Sequence, residues 1–190
     1  MTADWSRDDP LRGVRYAERF ARLEASGVGV HGEADFVTAR EPSSVLDAGC
    51  GTGRVAVELS RRGFDVWGAD RDPAMLAVAR QQAPDLRWVE ADLADPGLDL
   101  GRRFGLIVAA GNVMIFLDPG TVGPVLATLA RHLEPGGVLV AGFQLERGVD
   151  LGAYDALAAA AGLVLADRFA TWERAPFVAG RDYAVSVHRR

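Results

Sequence analysis

The segment at residues 44–62 constrains the fold of this chain more than any other. A short apolar run at 44–48 leads into Gly-Cys-Gly-Thr-Gly at 49–53, and a helix-forming stretch over 54–62 ends at Gly63. Three alternate glycines let a ligand approach the backbone without meeting a Cβ atom. The N–H groups at the start of the helix favour a carboxylate or phosphate. The pattern predicts a ligand-binding turn between a buried strand and a helix; a tight turn that only requires glycine is the alternative.

Strand and helix patterns alternate along the rest of the chain, which predicts an α/β fold built on a parallel sheet. The last two strands, at 163–169 and 183–188, are joined by a loop without helical periodicity, so we expect them to be antiparallel. The 190 residues fit one domain. The other predicted strands lie at 65–69, 86–90, 106–110 and 137–143, and the predicted helices begin at Pro73 and span 119–132 and 150–161.

Residues 1–40 precede the first predicted strand and cannot extend the parallel core. A helix over 13–26 that ends at Gly27 and a shorter helix over 33–38 give this segment an apolar face. The carboxyl edge of the sheet is where ligands of such folds bind, and it needs protection from water. We therefore expect the N-terminal segment to cover that edge.

Composition excludes several kinds of function. The net charge of −5 gives no overall basic surface for nucleic-acid phosphates, so we expect no nucleic-acid partner. All 21 basic residues are arginines, and without a lysine amine the chain cannot form a Schiff base. One cysteine and three scattered histidines predict neither an internal disulfide nor a metal site. No apolar stretch suits a signal peptide or a membrane span, so we expect a cytoplasmic protein with no membrane partner.

The glycine loop alone does not identify its ligand. Residues 51–56 also satisfy the dinucleotide pattern G-x-G-x-x-A, with Asp70 at a suitable distance downstream. This leaves an NAD-dependent oxidoreductase as one alternative. Asp47, however, directly precedes the glycines, where its charge would repel a pyrophosphate and attract an ammonium or a sulfonium.

At this point the sequence resembles the class I, Rossmann-like, S-adenosylmethionine-dependent methyltransferases. Leu-Asp-Ala-Gly-Cys-Gly-Thr-Gly at 46–53 matches their first motif position by position, and the resemblance implies that Gly49, Cys50 and Gly51 hold the methionine part of S-adenosylmethionine. The second motif lies at 68–76, where Asp70 would bind both ribose hydroxyls. The third lies at 90–93, which implies that Asp92 accepts from the adenine amino group while the Leu93 N–H faces the ring. The set of cofactor-binding residues is completed by Asp47, Thr52, Gly53, Arg71 and Ala109.

The resemblance extends through residues 104–112 and 133–139, which look like the family's fourth strand and its turn into strand five. It implies a doubly wound seven-stranded sheet of order 3-2-1-4-5-7-6, with strand seven antiparallel and helices on both faces. The single domain 1–190 would then comprise an N-terminal helical cover (1–40), a cofactor-binding half (41–145) and a C-terminal half with the antiparallel hairpin (146–190).

The methyl acceptor is harder to predict. Residues 112–115 lack the Asp/Asn-Pro-Pro-aromatic signature of amino-methylating DNA enzymes, and we expect a small-molecule acceptor. No residue is established as a base. The candidates are His31, Glu33 and Asn112, together with Gln144 and Glu146 after strand five. Two of them have an alternative role: His31 can cap a helix, and Asn112 can satisfy backbone groups of its loop. Tyr16 is a candidate cofactor contact, and Trp172 and Phe177 are candidate walls of an acceptor pocket. A non-catalytic S-adenosylmethionine-binding module remains a further alternative.

Overall fold

The computed structural model describes residues 11–27, 29–145 and 149–190. Seven strands form one sheet of order β3-β2-β1-β4-β5-β7-β6. The strands are β1 (Val45–Ala48), β2 (Val66–Asp70), β3 (Arg87–Glu90), β4 (Phe104–Ala109), β5 (Leu133–Gln144), β6 (Val164–Phe169) and β7 (Tyr183–Arg189). The helices are α1 (Arg12–Ala25), α2 (Gly32–Thr38), α3 (Arg54–Arg61), α4 (Pro73–Gln82), α5 (Val113–Phe116), α6 (Val122–Arg131) and α7 (Leu151–Ala160).

The direction of each strand confirms the predicted topology. Strands β1 to β5 pair in parallel with one another. Strand β7 is antiparallel to both β5 and β6. The order reverses beside β1, and in open α/β sheets such a switch point leaves a crevice at the carboxyl ends of the strands.

Apolar clusters cover both faces of the sheet. One cluster joins the sheet to α6 and α7 through residues such as Leu126, Leu129 and Tyr154. The other joins it to α2 and α3 through Phe36 and Leu59. Helices therefore lie on both faces, as predicted.

The predicted N-terminal cover divides into two parts. Helix α2 belongs to the core, because Phe36 is 1% exposed and Val37 is fully buried. Helix α1 instead packs on α4, where the backbone of Gly13 approaches Ala74 closely. The two helices were grouped in the prediction because both are amphipathic, a property that does not distinguish a surface cover from a core helix.

The structure departs from the predictions most clearly at α5 and at the start of β5. Helix α5 was not predicted, since four residues carry too little periodicity to indicate a helix. Strand β5 begins at Leu133 instead of Gly137, because Leu133 pairs with Phe104 before a shift in register that passes over the Pro-Gly-Gly turn. Local patterns do not show such an irregularity, which depends on the neighbouring strand.

The position of the Trp88 indole explains why residues 53 and 68 are glycines. A Cβ atom on Gly68 would lie 2.3 Å from the Trp88 ring, and one on Gly53 would lie 2.4 Å from it. Gly53 also has a φ of +81°, which L side chains rarely adopt. The Trp88 Nε1 donates to the carbonyl of Ala83 at 2.8 Å, which fixes the ring in this position.

Within the ranges described above, every helix is too short or too polar to cross a bilayer.

Candidate functional site

A pocket of about 650 Å³ lies at the carboxyl ends of β1, β2 and β4, beside the switch point. Its walls come from the glycine loop, the turns after these strands, α5 and the first turns of α1. Eight of the eleven predicted cofactor-binding residues line it: Asp47, Gly49, Cys50, Gly51, Asp70, Arg71, Asp92 and Leu93.

The glycine loop is fixed to the end of β2. The N–H groups of Gly49 and Cys50 donate to the carbonyl of Ala69 at 2.8 and 3.0 Å. At Gly51, φ is +54° and no atom lies within 4 Å of the position a Cβ would take. At Gly51 the loop backbone therefore faces open space, which is the geometry that a closely approaching ligand needs.

Asp70 organises the centre of the pocket. Its Oδ2 accepts from Gly51 N–H at 2.7 Å, and its Oδ1 accepts from Asp72 N–H at 2.9 Å. Each carboxylate oxygen can accept a second hydrogen bond. Burial raises the pKa of Asp70 above its ordinary value, against the lowering effect of these two N–H donors. The residue is placed to accept two hydroxyl groups from a ligand.

Asp47 is the more deeply buried acid, with 2% of the residue exposed. Its Oδ2 accepts from Ala56 N–H at 3.1 Å. Burial raises the pKa of Asp47 to about 7, although the Ala56 hydrogen bond and the charge of Arg54 act in the opposite direction. A buried carboxyl of this kind gains from a cationic partner in the pocket.

We therefore expect the affinity for S-adenosylhomocysteine, whose amino acid portion carries an ammonium, to depend on pH. Below a pKa of about 7 the Asp47 carboxyl is protonated in the free protein. Binding must then displace that proton, so affinity should fall by up to about tenfold per pH unit below the pKa and level off above it. Calorimetry between about pH 6 and pH 8.5 measures this dependence. A constant dissociation constant over that range would show that Asp47 does not meet the ammonium.

The three remaining predicted cofactor residues lie behind the pocket wall. Thr52 is 3% exposed, Ala109 is fully buried in β4, and Gly53 begins α3 against Trp88. None of them is among the lining residues. The side chains of Thr52 and Ala109 and the backbone of Gly53 shape the loop and strand, and a direct role toward a cofactor remains a prediction.

None of the three catalytic candidates lines the pocket. Glu33 forms an ion pair with Arg54. The Oδ1 of Asn112 accepts from the backbone N–H of Gln144 at 2.8 Å, so Asn112 satisfies a backbone group, in agreement with its alternative interpretation. His31 precedes α2 without a side-chain capping hydrogen bond. Glu146 lies outside the described residues.

Sequence reasoning missed several lining residues. Arg12 of α1, Arg54 of α3, and Phe116 and Leu117 near α5 all line the pocket. Tyr16, considered as a cofactor contact, lines it too, and burial raises the pKa of its phenol, which therefore stays neutral at physiological pH. Arg54 directly follows the glycine loop, and this adjacency was the signal available in the sequence.

Comparison with known proteins places this geometry in a family. A family model described as a methyltransferase domain matches residues 45–137. The structure of a TehB-like SAM-dependent methyltransferase from Corynebacterium glutamicum is 39% identical, with 95% of this chain and 98% of that chain covered and a TM-score of 0.88. A dTDP-3-amino-3,4,6-trideoxy-alpha-D-glucopyranose N,N-dimethyltransferase from Streptomyces venezuelae is 36% identical over 132 residues, 68% of this chain. A magnesium-protoporphyrin O-methyltransferase from Rhodobacter capsulatus is 33% identical over 140 residues, 69% of this chain.

The sheet order and the pocket define a doubly wound α/β protein with a pocket at the carboxyl edge of its sheet. The chain spans 51% and 59% of the length of the Streptomyces and Rhodobacter relatives. The Corynebacterium structure, by contrast, is matched along almost its whole length. The chain belongs to the class I S-adenosylmethionine-dependent methyltransferase family, as the resemblance of its motifs predicted.

Proposed function

We propose that the protein binds S-adenosylmethionine in this pocket and transfers its methyl group to a small-molecule acceptor. One observation carries the proposal: the buried carboxyl of Asp47 and the partly buried carboxyl of Asp70 both line the pocket, and Asp70 accepts a hydrogen bond from Gly51 of the glycine loop. This arrangement suits a ligand that carries both a cationic group and a vicinal diol. S-adenosylmethionine has both groups.

The residues present fit this cofactor. Asp47 would meet its positive charge, the backbone from Gly49 to Gly51 its methionine portion, and Asp70 both ribose hydroxyls. Asp92 and Leu93 line the far end of the pocket and would hold the adenine. When bound, the cofactor supplies an electrophilic methyl group on a sulfonium. The chain's own contribution is to orient that group and exclude water.

The acceptor would occupy the side of the pocket formed by Tyr16, Val113 and Phe116. Apolar walls keep water from the reaction, and alignment of two reactants is worth roughly 7–11 kcal/mol of the barrier. The neutral phenol of Tyr16 can donate or accept a hydrogen bond there. We assign it the role of positioning the acceptor, and we assign no general base. The net charge of −5 favours a small acceptor over nucleic acid, and the single cysteine suits a cytoplasmic location.

The two other hypotheses make different predictions. An NAD-dependent oxidoreductase would place the pyrophosphate near the Asp47 carboxylate, which is electrostatically unfavourable. A non-catalytic module would bind S-adenosylmethionine without turning it over. A binding measurement with both cofactors distinguishes the oxidoreductase from the proposed methyltransferase. A turnover measurement distinguishes the non-catalytic module from it.

Calorimetry should show S-adenosylmethionine and S-adenosylhomocysteine binding at micromolar dissociation constants, about −8 kcal/mol, and no measurable NAD binding. Detectable NAD binding with neither adenosyl ligand bound would overturn the proposal. With the binding established, methyl-labelled cofactor incubated with fractionated small-molecule extracts tests turnover. Label should appear in an acceptor below about one kilodalton, and transfer only to macromolecules would contradict a small-molecule acceptor.

A further inference from the structure

Arg54 connects the glycine loop to the N-terminal part of the chain. Its guanidinium contacts Glu33 through two hydrogen bonds, Nη1 to Oε2 at 3.0 Å and Nη2 to Oε1 at 2.5 Å. Nη1 also donates to the carbonyl of Val30, and the guanidinium lies over the Phe20 ring, 4.6 Å from its centre. The side chains of Arg54 and Glu33 are only 14% and 15% exposed. A bidentate pair with so little solvent has a defined geometry.

The same guanidinium faces the cofactor pocket and acts on a second carboxyl group. Arg54 and Asp47 both line the pocket, and the charge of Arg54 lowers the pKa of Asp47 against the larger effect of burial. Asp70 and Glu33 raise that pKa. Tyr16 and Cys50 also interact electrostatically with Asp47. Arg54 is the one cation among these groups.

Two partners therefore compete for the Asp47 carboxyl when the pocket is in use. One is the ammonium of the cofactor, and the other is the Arg54 guanidinium of the chain itself. An arginine bound to Asp47 would satisfy that carboxyl and exclude the ammonium. The two hydrogen bonds with Glu33, on the side of Arg54 that faces α2, oppose this outcome.

We propose, on the basis of the proposed cofactor, that Glu33 is a positioning residue that holds the Arg54 guanidinium against the N-terminal segment and so leaves Asp47 available to the cationic part of the ligand. Glu33 touches neither cofactor nor acceptor in this role. Its effect on binding passes through Arg54 and Asp47 and depends on both the charge and the reach of the Glu33 side chain. The role also accounts for a partly buried acid at position 33 that does not line the pocket.

Glu33→Gln tests this role with two ligands, of which only one carries an amino acid portion with its ammonium and carboxylate. S-adenosylhomocysteine carries the amino acid portion with its ammonium, whereas 5′-methylthioadenosine lacks it. In the variant, Arg54 loses its charged partner and turns to Asp47. The dissociation constant of S-adenosylhomocysteine should then rise about tenfold while that of 5′-methylthioadenosine changes less than about twofold. Because Arg54 now stabilises the carboxylate, the loss of S-adenosylhomocysteine affinity below about pH 7 should also become shallower than in the wild type.

Asp35→Asn is the matched control. Asp35 lies two residues further along α2 and pairs with Arg62 of α3 at 2.7 Å, on an exposed part of the same helix pair. Its loss should leave both ligands unaffected. The double variant Glu33→Gln, Arg54→Gln should recover the preference for S-adenosylhomocysteine, because no guanidinium remains to compete. Should Glu33→Gln fail to fold by circular dichroism, Glu33→Asp retains the charge but shortens the side chain, and should change the ratio of the two affinities in the same direction.

Equal losses for both ligands in Glu33→Gln, or no loss for either, would overturn this role and leave Glu33 a structural residue. No recovery in the double variant would also overturn it. Absence of S-adenosylhomocysteine binding to the wild-type protein would instead refute the proposed function, so the two failures are distinguishable.

Discussion

Asp70→Ala should weaken S-adenosylmethionine binding by about 2–4 kcal/mol while the protein remains folded. The variant loses two hydrogen bonds from a charged acceptor to the ribose. It also loses the hydrogen bonds at 2.7 and 2.9 Å that hold Gly51 and Asp72 in place, so the glycine loop is less well ordered before binding. Calorimetry with the purified variant measures the change.

Asp65→Ala is the control for this experiment. Asp65 directly precedes β2, at the opposite end of the strand from Asp70, and pairs with Arg102 on the surface at 2.9 Å. Its removal should leave the dissociation constant unchanged. A folded Asp70→Ala protein that binds as tightly as the wild type would remove Asp70 from the cofactor site.

Phe36→Ala should lower the free energy of unfolding by about 3–5 kcal/mol. Phe36 is 1% exposed and meets the rings of Phe169 and Trp172 at 5.7 and 5.4 Å between centroids, so its removal leaves a cavity that rigid neighbours cannot fill. Urea denaturation followed by circular dichroism measures the loss.

Phe20→Ala gives the comparison. Phe20 lies on α1, is only partly buried, and contacts Tyr16 and the Arg54 guanidinium. We expect its loss to cost about 1 kcal/mol of stability. If both variants were destabilised equally, α1 and α2 would form one structural unit, and the division between surface cover and core helix would be wrong.

This division shows where sequence reasoning reached its limit. The alternation of strands and helices, together with the family motifs, was sufficient for the sheet order and for the positions of Asp47 and Asp70. Burial of α2 depends on Phe169 and Trp172, more than 130 residues away along the chain. A truncation through residue 38 would therefore remove core residues as well as the cover, an effect that local periodicity does not predict.

The catalytic roles of the candidate bases stay predictions, and the partners of these residues could not be predicted for a related reason. Asn112 is a candidate because it follows strand four, and Glu33 is one because it lies in the N-terminal segment that is expected to cover the ligand edge. Their actual partners, Arg54 and the Gln144 backbone, lie 21 and 32 residues away in sequence. Tertiary contacts determine whether such a polar side chain faces solvent, pairs with another group or reaches a reacting ligand. The positions of polar and titratable residues in the sequence therefore predicted where the candidate site lies better than they predicted the role of each residue.

The contact between Trp88 and the glycine loop has an optical consequence. Indole emission changes with the polarity and electric field around the ring, and the Trp88 ring lies directly against Gly53 and Gly68. A charged ligand that enters the pocket, or a loop that shifts to admit it, alters that field. Trp88, one of four tryptophans in the chain, is therefore the one whose emission we expect to respond to a change in the glycine loop, and stopped-flow fluorescence can test this without a label.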